Sequence, residues 1–139
     1  MHRKQILFFD LDGTLLLPDM TVSHQNKEAI RAMTERGIRF AVSTGRTFTE
    51  IPHCVRDIPQ IRYFIHSDGA VIYDRLENRR STWCMKADLA CFVLETLFSQ
   101  ETWLTVRCNG VSYADAELMS EASCGYHRVT PYYLSLIHI

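Results

Sequence analysis

Ile6-Leu7-Phe8-Phe9 is a wholly apolar run, too short for a buried helix and without alternation. It predicts a central strand of a sheet covered on both faces. Polar residues follow at once, in Asp10-Leu11-Asp12-Gly13-Thr14. Ser23 then predicts an N-cap. Ala29, Ile30 and Met33 form one stripe at helical spacing, and Gly37 ends it. Residues 38–42 predict a second strand, which runs into Ser43-Thr44-Gly45-Arg46. A second helix is expected from near Phe48 or Glu50 to near Asp57, with Pro52 in its first turn and Pro59 beyond its end. Tyr63-Phe64-Ile65 predicts a third strand, and His66-Ser67-Asp68-Gly69 a third polar turn. A further strand at 70–73 and a charged turn at 74–80 make a hairpin.

The order is β-α-β-α-β and then the hairpin. Right-handed crossovers place the three parallel strands side by side, so their polar ends converge on one edge. Ligands of open α/β sheets bind outside that edge, and N–H groups at the start of a following helix attract anions. Two carboxylates at the end of a buried strand cost free energy unless paired, hydrogen-bonded or bound to metal. The plainer alternative is a polar turn in which Gly13 supplies a positive φ. His66 reads as core or edge filler, and Asp68 as a turn residue.

Composition narrows the partners. Of 139 residues, 47% are hydrophobic and 22% charged, as in a globular domain. Lys plus Arg is 15 against 16 for Asp plus Glu, a net charge of -1, which gives no electrostatic reason for a nucleic acid partner. No run of about 18 apolar residues predicts a membrane span. The first apolar run meets Asp10 too early for a signal peptide. Cysteines 54, 84, 91, 108 and 124 are odd in number with no C-x-x-C pair, and read as reduced thiols of a cytoplasmic protein. Neither they nor the histidines cluster at zinc-ligand spacing.

The three polar turns together resemble the haloacid dehalogenase-like hydrolases, and within them the Cof-type phosphatases of subfamily IIB, specifically over residues 4 to about 75. The resemblance implies an α/β fold: a Rossmann-like core with a parallel sheet, of which this chain carries the first half (1–79), then the start of an inserted α/β C2-type cap (80–133). It implies hydrolysis of a small phosphorylated metabolite, a sugar phosphate or cofactor phosphate, through an aspartyl-phosphate. Asp10 would be the nucleophile. Asp12 would be the general acid and then the base for water. Mg2+ would sit on the Asp10 carboxylate and the Asp12 backbone carbonyl. Thr44, with Gly45, would bind the phosphoryl group, and Arg46 would brace the loop or touch substrate. Gly13, Thr14, Asp68 and Gly69 would support the turns. The family usually carries Asn where Asp68 stands. A phosphomutase or other phosphotransferase of the same superfamily, or a non-catalytic binding domain, are the alternatives. The sequence sets no oligomeric state.

The family also uses a Lys after the cap and an acidic motif that completes the metal site. Lys86 is the only Lys after Lys27 and stands where the cap should begin; Asp115 and Glu117 lack a strand-Gly-Asp context. The chain therefore reads as an N-terminal fragment, inactive by itself. The partner strand on the far side of Ile6-Leu7-Phe8-Phe9 would be missing, which leaves that run as an exposed apolar edge prone to aggregation. In the cap region, Leu89, Phe92, Val93 and Leu97, widened by Leu94 and Phe98, predict a helix that packs a core. Residues 102–107 and Val111-Ser112-Tyr113 predict a hairpin about Asn109-Gly110. Residues 134–139 read as a sequencing-adapter scar, with a natural apolar strand as the alternative.

Overall fold

The computed structural model describes residues 5–98, 100, 105–108, 110–114 and 126–128. Asp115, Glu117, Cys124, residues 102–104, Asn109 and the 134–139 tail lie outside the described residues. The chain divides into two compact units, Met1–Thr82 and Trp83–Ile139. No helix among the described residues is long and apolar enough to cross a membrane.

The first unit is a five-stranded mixed sheet in the order β1-β2-β3-β4-β5. β1 (Gln5–Phe9), β2 (Ile38–Ser43) and β3 (Ile61–His66) run parallel, with Phe8 beside Ala41 and Val42 beside Phe64. β4 (Val71–Asp74) and β5 (Arg79–Thr82) close the other side as an antiparallel hairpin, Tyr73 opposite Arg80. The charged turn expected over 74–80 is thus shorter: Asp74 and Arg79 pair in the ladder.

α1 (His24–Glu35) starts where Ser23 Oγ accepts the Asn26 N–H at 3.1 Å. It ends before Gly37, whose φ of 85° an L side chain rarely adopts. Its Ile30 enters a core of Leu11, Leu15, Phe40, Val42, Ile51, Val55, Ile61 and Phe64, with Met33 packed beside it.

Two expectations need correction. The second helix is not continuous. A 3₁₀ turn, Phe48–Glu50, is followed by α2, His53–Arg56, with Pro52 as its N-cap. Ile51 between them is extended, at φ -68° and ψ 124°. A residue before proline is driven from the helical region by the proline ring, and Ile51 spends its break filling the core with none of its surface exposed. Second, β1 is not covered on both faces. Among the described residues its hydrogen-bonded neighbour is β2 alone, and Phe8 is 57% exposed. The strand is an apolar edge of the described sheet.

The second unit contains α3 (Ala87–Phe98) and a three-stranded sheet of β6 (Thr105–Cys108), β7 (Val111–Ala114) and β8 (Tyr126–Arg128). β6 and β7 form the expected hairpin, with Gly110 at φ 80°. β8 adds parallel to β7, a pairing the sequence pattern did not signal. The buried stripe of α3 is Ala90 and Leu94, whereas Leu89 and Phe92 are exposed. The small Ala90 selects the packed face, so the stripe is rotated from the one that side-chain size suggested.

Candidate active site

Three loops leave the C-terminal ends of β1, β2 and β3 and meet at one edge of the first unit. Asp10, Ser43, Thr44, Gly45, Asp68 and Gly69 line an open cavity of about 430 Å³ there.

The first loop is a turn, Leu11–Leu15, closed by the Leu16 N–H donating to the Leu11 carbonyl at 2.9 Å. Within it Asp12 (φ -75°, ψ 122°) and Gly13 (φ 70°, ψ 5°) have the dihedrals of a type II turn. That turn requires φ > 0 at its third residue, hence glycine. Alternation does the rest. Leu11 and Leu15 are buried in the core, so Asp10 and Asp12 on either side of Leu11 face outward. Thr14 is exposed on the turn and is not among the cavity-lining residues.

The second loop follows β2. Thr44 is buried; its N–H donates to the Ile65 carbonyl at 2.9 Å, which fixes it against β3. Its Oγ1 accepts the Arg46 N–H at 3.2 Å. A hydroxyl has one proton and two lone pairs, so that bond uses an acceptor position and leaves the proton to donate toward the cavity. Gly45 stands in a crowded place: a Cβ there would lie 2.6 Å from Asp68 Oδ1, so the Asp68 carboxylate would have to move aside for a larger residue. Thr47 and Glu50 form a capping box, the Thr47 N–H donating to Glu50 Oε2 at 2.6 Å. Phe48 then packs edge-on to Phe64 and to Tyr73, ring centroids 5.4 Å apart in each case, and pins the loop to the sheet.

The third loop is a run of left-handed residues: Ser67 and Asp68 at φ 54° and Gly69 at φ 88°. Two non-glycine residues in that region store strain of order 1–3 kcal/mol each. The Ser67 N–H donates to the Arg46 carbonyl at 2.8 Å, which holds the turn closed. His66, at its foot, is buried with its Nδ1 3.1 Å from Ser67 Oγ. Burial, and then the charge of Arg80, push the His66 pKa below its ordinary value of 6.5. It fills the core, as its place on the strand suggested.

Asp12 and Arg46 form a bidentate ion pair beside the cavity, Nε to Oδ2 at 2.9 Å and Nη2 to Oδ1 at 2.8 Å. The hydrogen bonds from Arg46 hold the Asp12 carboxyl below its ordinary 3.8, against a smaller opposing effect of burial. The structure thus gathers Asp10, Thr44, Gly45, Asp68 and Gly69 at one cavity and sets Asp12 with Arg46 next to it. Ser43 and Glu50 had no expected role. Ser43 stands in the quoted Ser-Thr-Gly-Arg motif, and its position as the last residue of β2 was the signal that it faces the cavity. Glu50 was signalled by its place three residues after Thr47, the spacing of a capping box.

The donors here are carboxylate, carbonyl and hydroxyl oxygens, the kind that Mg2+ takes. Among the described residues no group of three or more His, Cys, Asp or Glu converges as a metal cage.

Comparison with known proteins gives a consistent result. The sequence profile described as haloacid dehalogenase-like hydrolase matches residues 7–126. An HMP-PP phosphatase of Serratia proteamaculans is 28% identical over 106 residues, 70% of this chain and 39% of that protein. The 5-amino-6-(5-phospho-D-ribitylamino)uracil phosphatase YcsE of Bacillus subtilis is 30% identical over 70 residues, 50% of this chain and 28% of that protein. Among solved structures, a haloacid dehalogenase-like hydrolase from B. subtilis superposes with TM-score 0.70 at 30% identity, covering 86% of this chain and 42% of that one. Another from Bacteroides thetaiotaomicron shares the fold at TM-score 0.69 and 15% identity, covering 91% and 52%. The chain matches 39% and 28% of the length of these two curated relatives.

Proposed function

This chain belongs to the haloacid dehalogenase-like hydrolases, in their Cof-type branch, and from that premise we propose that its site removes a phosphoryl group from a small phosphorylated metabolite. The observation that carries the reading is the convergence of Asp10, Thr44, Gly45 and Asp68 on one open cavity, with Asp12 beside it.

Asp10 is exposed at the end of its strand and lines the cavity, so its carboxylate is open to a phosphate bound there. One carboxylate oxygen attacks in line, the bond from phosphorus to the ester oxygen breaks, and Asp10 carries the phosphoryl group. Asp12 supplies a proton to the departing alkoxide and takes one from the water that cleaves the acyl phosphate; since Arg46 holds this carboxyl low, the fork has to loosen for Asp12 to carry the first of these protons. Thr44 donates its hydroxyl proton to a phosphoryl oxygen, and Gly45 lets that oxygen approach the backbone. The Asp10 carboxylate and the Asp12 backbone carbonyl would hold Mg2+, which supplies charge neutralisation between the phosphate and the carboxylates. Asp68 adds a further negative charge to the cavity wall, which raises the need for that neutralisation.

The test uses the full chain with Mg2+. Beryllium fluoride should form an adduct on Asp10, seen as a bound 19F resonance that Asp10→Asn removes. Turnover of p-nitrophenyl phosphate should likewise vanish in Asp10→Asn and fall about tenfold in Thr44→Val, through one lost hydrogen bond. Because the chain spans only part of its relatives' length, the adduct is the deciding readout. Absence of the adduct, or an adduct or turnover retained by Asp10→Asn, would sink the covalent reading.

A further inference from the structure

Arg46 takes part in all three loops of the site. Its side chain reaches the loop after β1 through both Asp12 oxygens, and Nη2 also lies 3.9 Å from Met20 Sδ. Its Nη1 donates to the Glu50 carbonyl at 3.2 Å, within its own loop, and its N–H donates to Thr44 Oγ1. Its carbonyl accepts the Ser67 N–H of the loop after β3. All three guanidinium nitrogens are engaged with protein, and Arg46 is not among the cavity-lining residues.

We propose that Arg46 is a positioning residue, which fixes the direction of the Asp12 carboxylate and the mutual register of the three loops, and is not a ligand of the transferred phosphoryl group. The proposal rests on the reading of Asp12 as the group that handles the leaving-group proton.

The physical case is geometric. The Asp12 side chain is 53% exposed on a turn, where an unrestrained carboxylate would exchange among rotamers. A two-point fork on one carboxylate fixes both its rotamer and its plane, which a single contact does not. The fork is itself anchored. Its third nitrogen holds the carbonyl of Glu50, and the Glu50 carboxylate is tied to the Thr47 N–H in the capping box. On the far side, the Ser67 bond to the Arg46 carbonyl closes the strained turn that presents Asp68. One residue thus sets the positions of Asp12, Thr44 and Asp68 together. Lysine cannot substitute, since an ammonium on a flexible stem offers no planar fork.

The experiment is NMR on the full chain labelled with 15N-arginine, following the Arg46 Nε–H while inorganic phosphate and Mg2+ are added. Arg46→Lys removes the resonance and so assigns it. The expected result is an exchange-protected Nε–H that phosphate leaves unmoved and that Asp12→Asn releases to rapid exchange. A resonance that shifts with phosphate and ignores Asp12→Asn overturns the proposal. Sequential backbone-to-side-chain assignment of the wild type identifies the same resonance without a variant, so the wild-type titration decides even if a variant fails to fold. With p-nitrophenyl phosphate, Arg46→Lys should lower kcat on the order of 10²-fold with KM little changed, as misdirection of a catalytic group does. A raised KM with kcat retained would mark a phosphate ligand instead. The NMR result accepts or rejects the tie between Arg46 and Asp12 whether or not the chain turns over p-nitrophenyl phosphate, and the beryllium fluoride adduct tests the function separately.

Discussion

Gly45 and Asp68 are coupled by contact. A methyl group at position 45 would meet the Asp68 carboxylate 2.6 Å away, and Asp68 sits on a backbone that has little freedom to retreat, at φ 54°. Gly45→Ala should therefore cost about 1–3 kcal/mol by overpacking. The double variant Gly45→Ala/Asp68→Ala should recover part of that loss, a non-additivity of about 1 kcal/mol that urea denaturation of the four proteins would measure. Additive effects would mean that the carboxylate swings away freely. At this level the sequence was informative where chemistry is local. Asp10, Asp12 and Gly13 stand in one turn, and the turn type dictates its glycine. The partnership of Asp12 with Arg46 spans 34 positions and joins two loops. No period or cap links such residues, so only the folded chain brings them together.

The elements were legible as far as their periodicity was pure. The capped helix α1 and the strands β2 and β3 follow directly from apolar spacing and from Ser23 and Gly37. Proline at 52 signalled a helix start, yet its effect on Ile51 broke the expected helix in two. In α3 the pattern fixed the helix and part of its buried face: Leu94 is buried and Val93 and Leu97 half-buried as expected, but Leu89 and Phe92 are exposed and Ala90 packs in their place. β1 shows the limit most clearly: an apolar run fixes a strand, but what lies beside it is set by topology. Its exposed edge makes a measurable liability. Phe8→Lys puts a charge on the exposed edge strand, a device by which natural edge strands resist edge-to-edge addition. Light scattering of the wild type should rise with concentration, and that of Phe8→Lys should rise less. Equal scattering would show that the edge is protected in solution.

The molecule as a whole should weaken in acid in two stages. His66 is buried with a depressed pKa, so the unfolded chain binds its proton more readily. Its contribution to stability is complete above pH 6.5 and is lost as pH falls below that value. Asp74 is held low chiefly by hydrogen bonds from Arg62, at 3.0 and 2.7 Å. Its contribution is complete above its ordinary value of 3.8 and is lost as pH falls through its folded-state value. Thermal melts from pH 8 to pH 3 should show His66→Leu flattening the upper stage and Asp74→Asn the lower. A melting profile in which neither variant changes the slope would rule out both linkages.

The exposure of β1 also bears on how long the site survives. Asp10 and Asp12 extend from the one strand of the first unit that combines apolar exposure with a parallel neighbour on a single side. β2 to β5, by contrast, hold the buried core and the hairpin. Opening of such a strand is a local event, governed by its own contacts and not by the stability of the sheet as a whole. Asp10 thus follows directly on the strand with the fewest neighbours in the described sheet, and local opening there would disturb the cavity before the sheet as a whole unfolds.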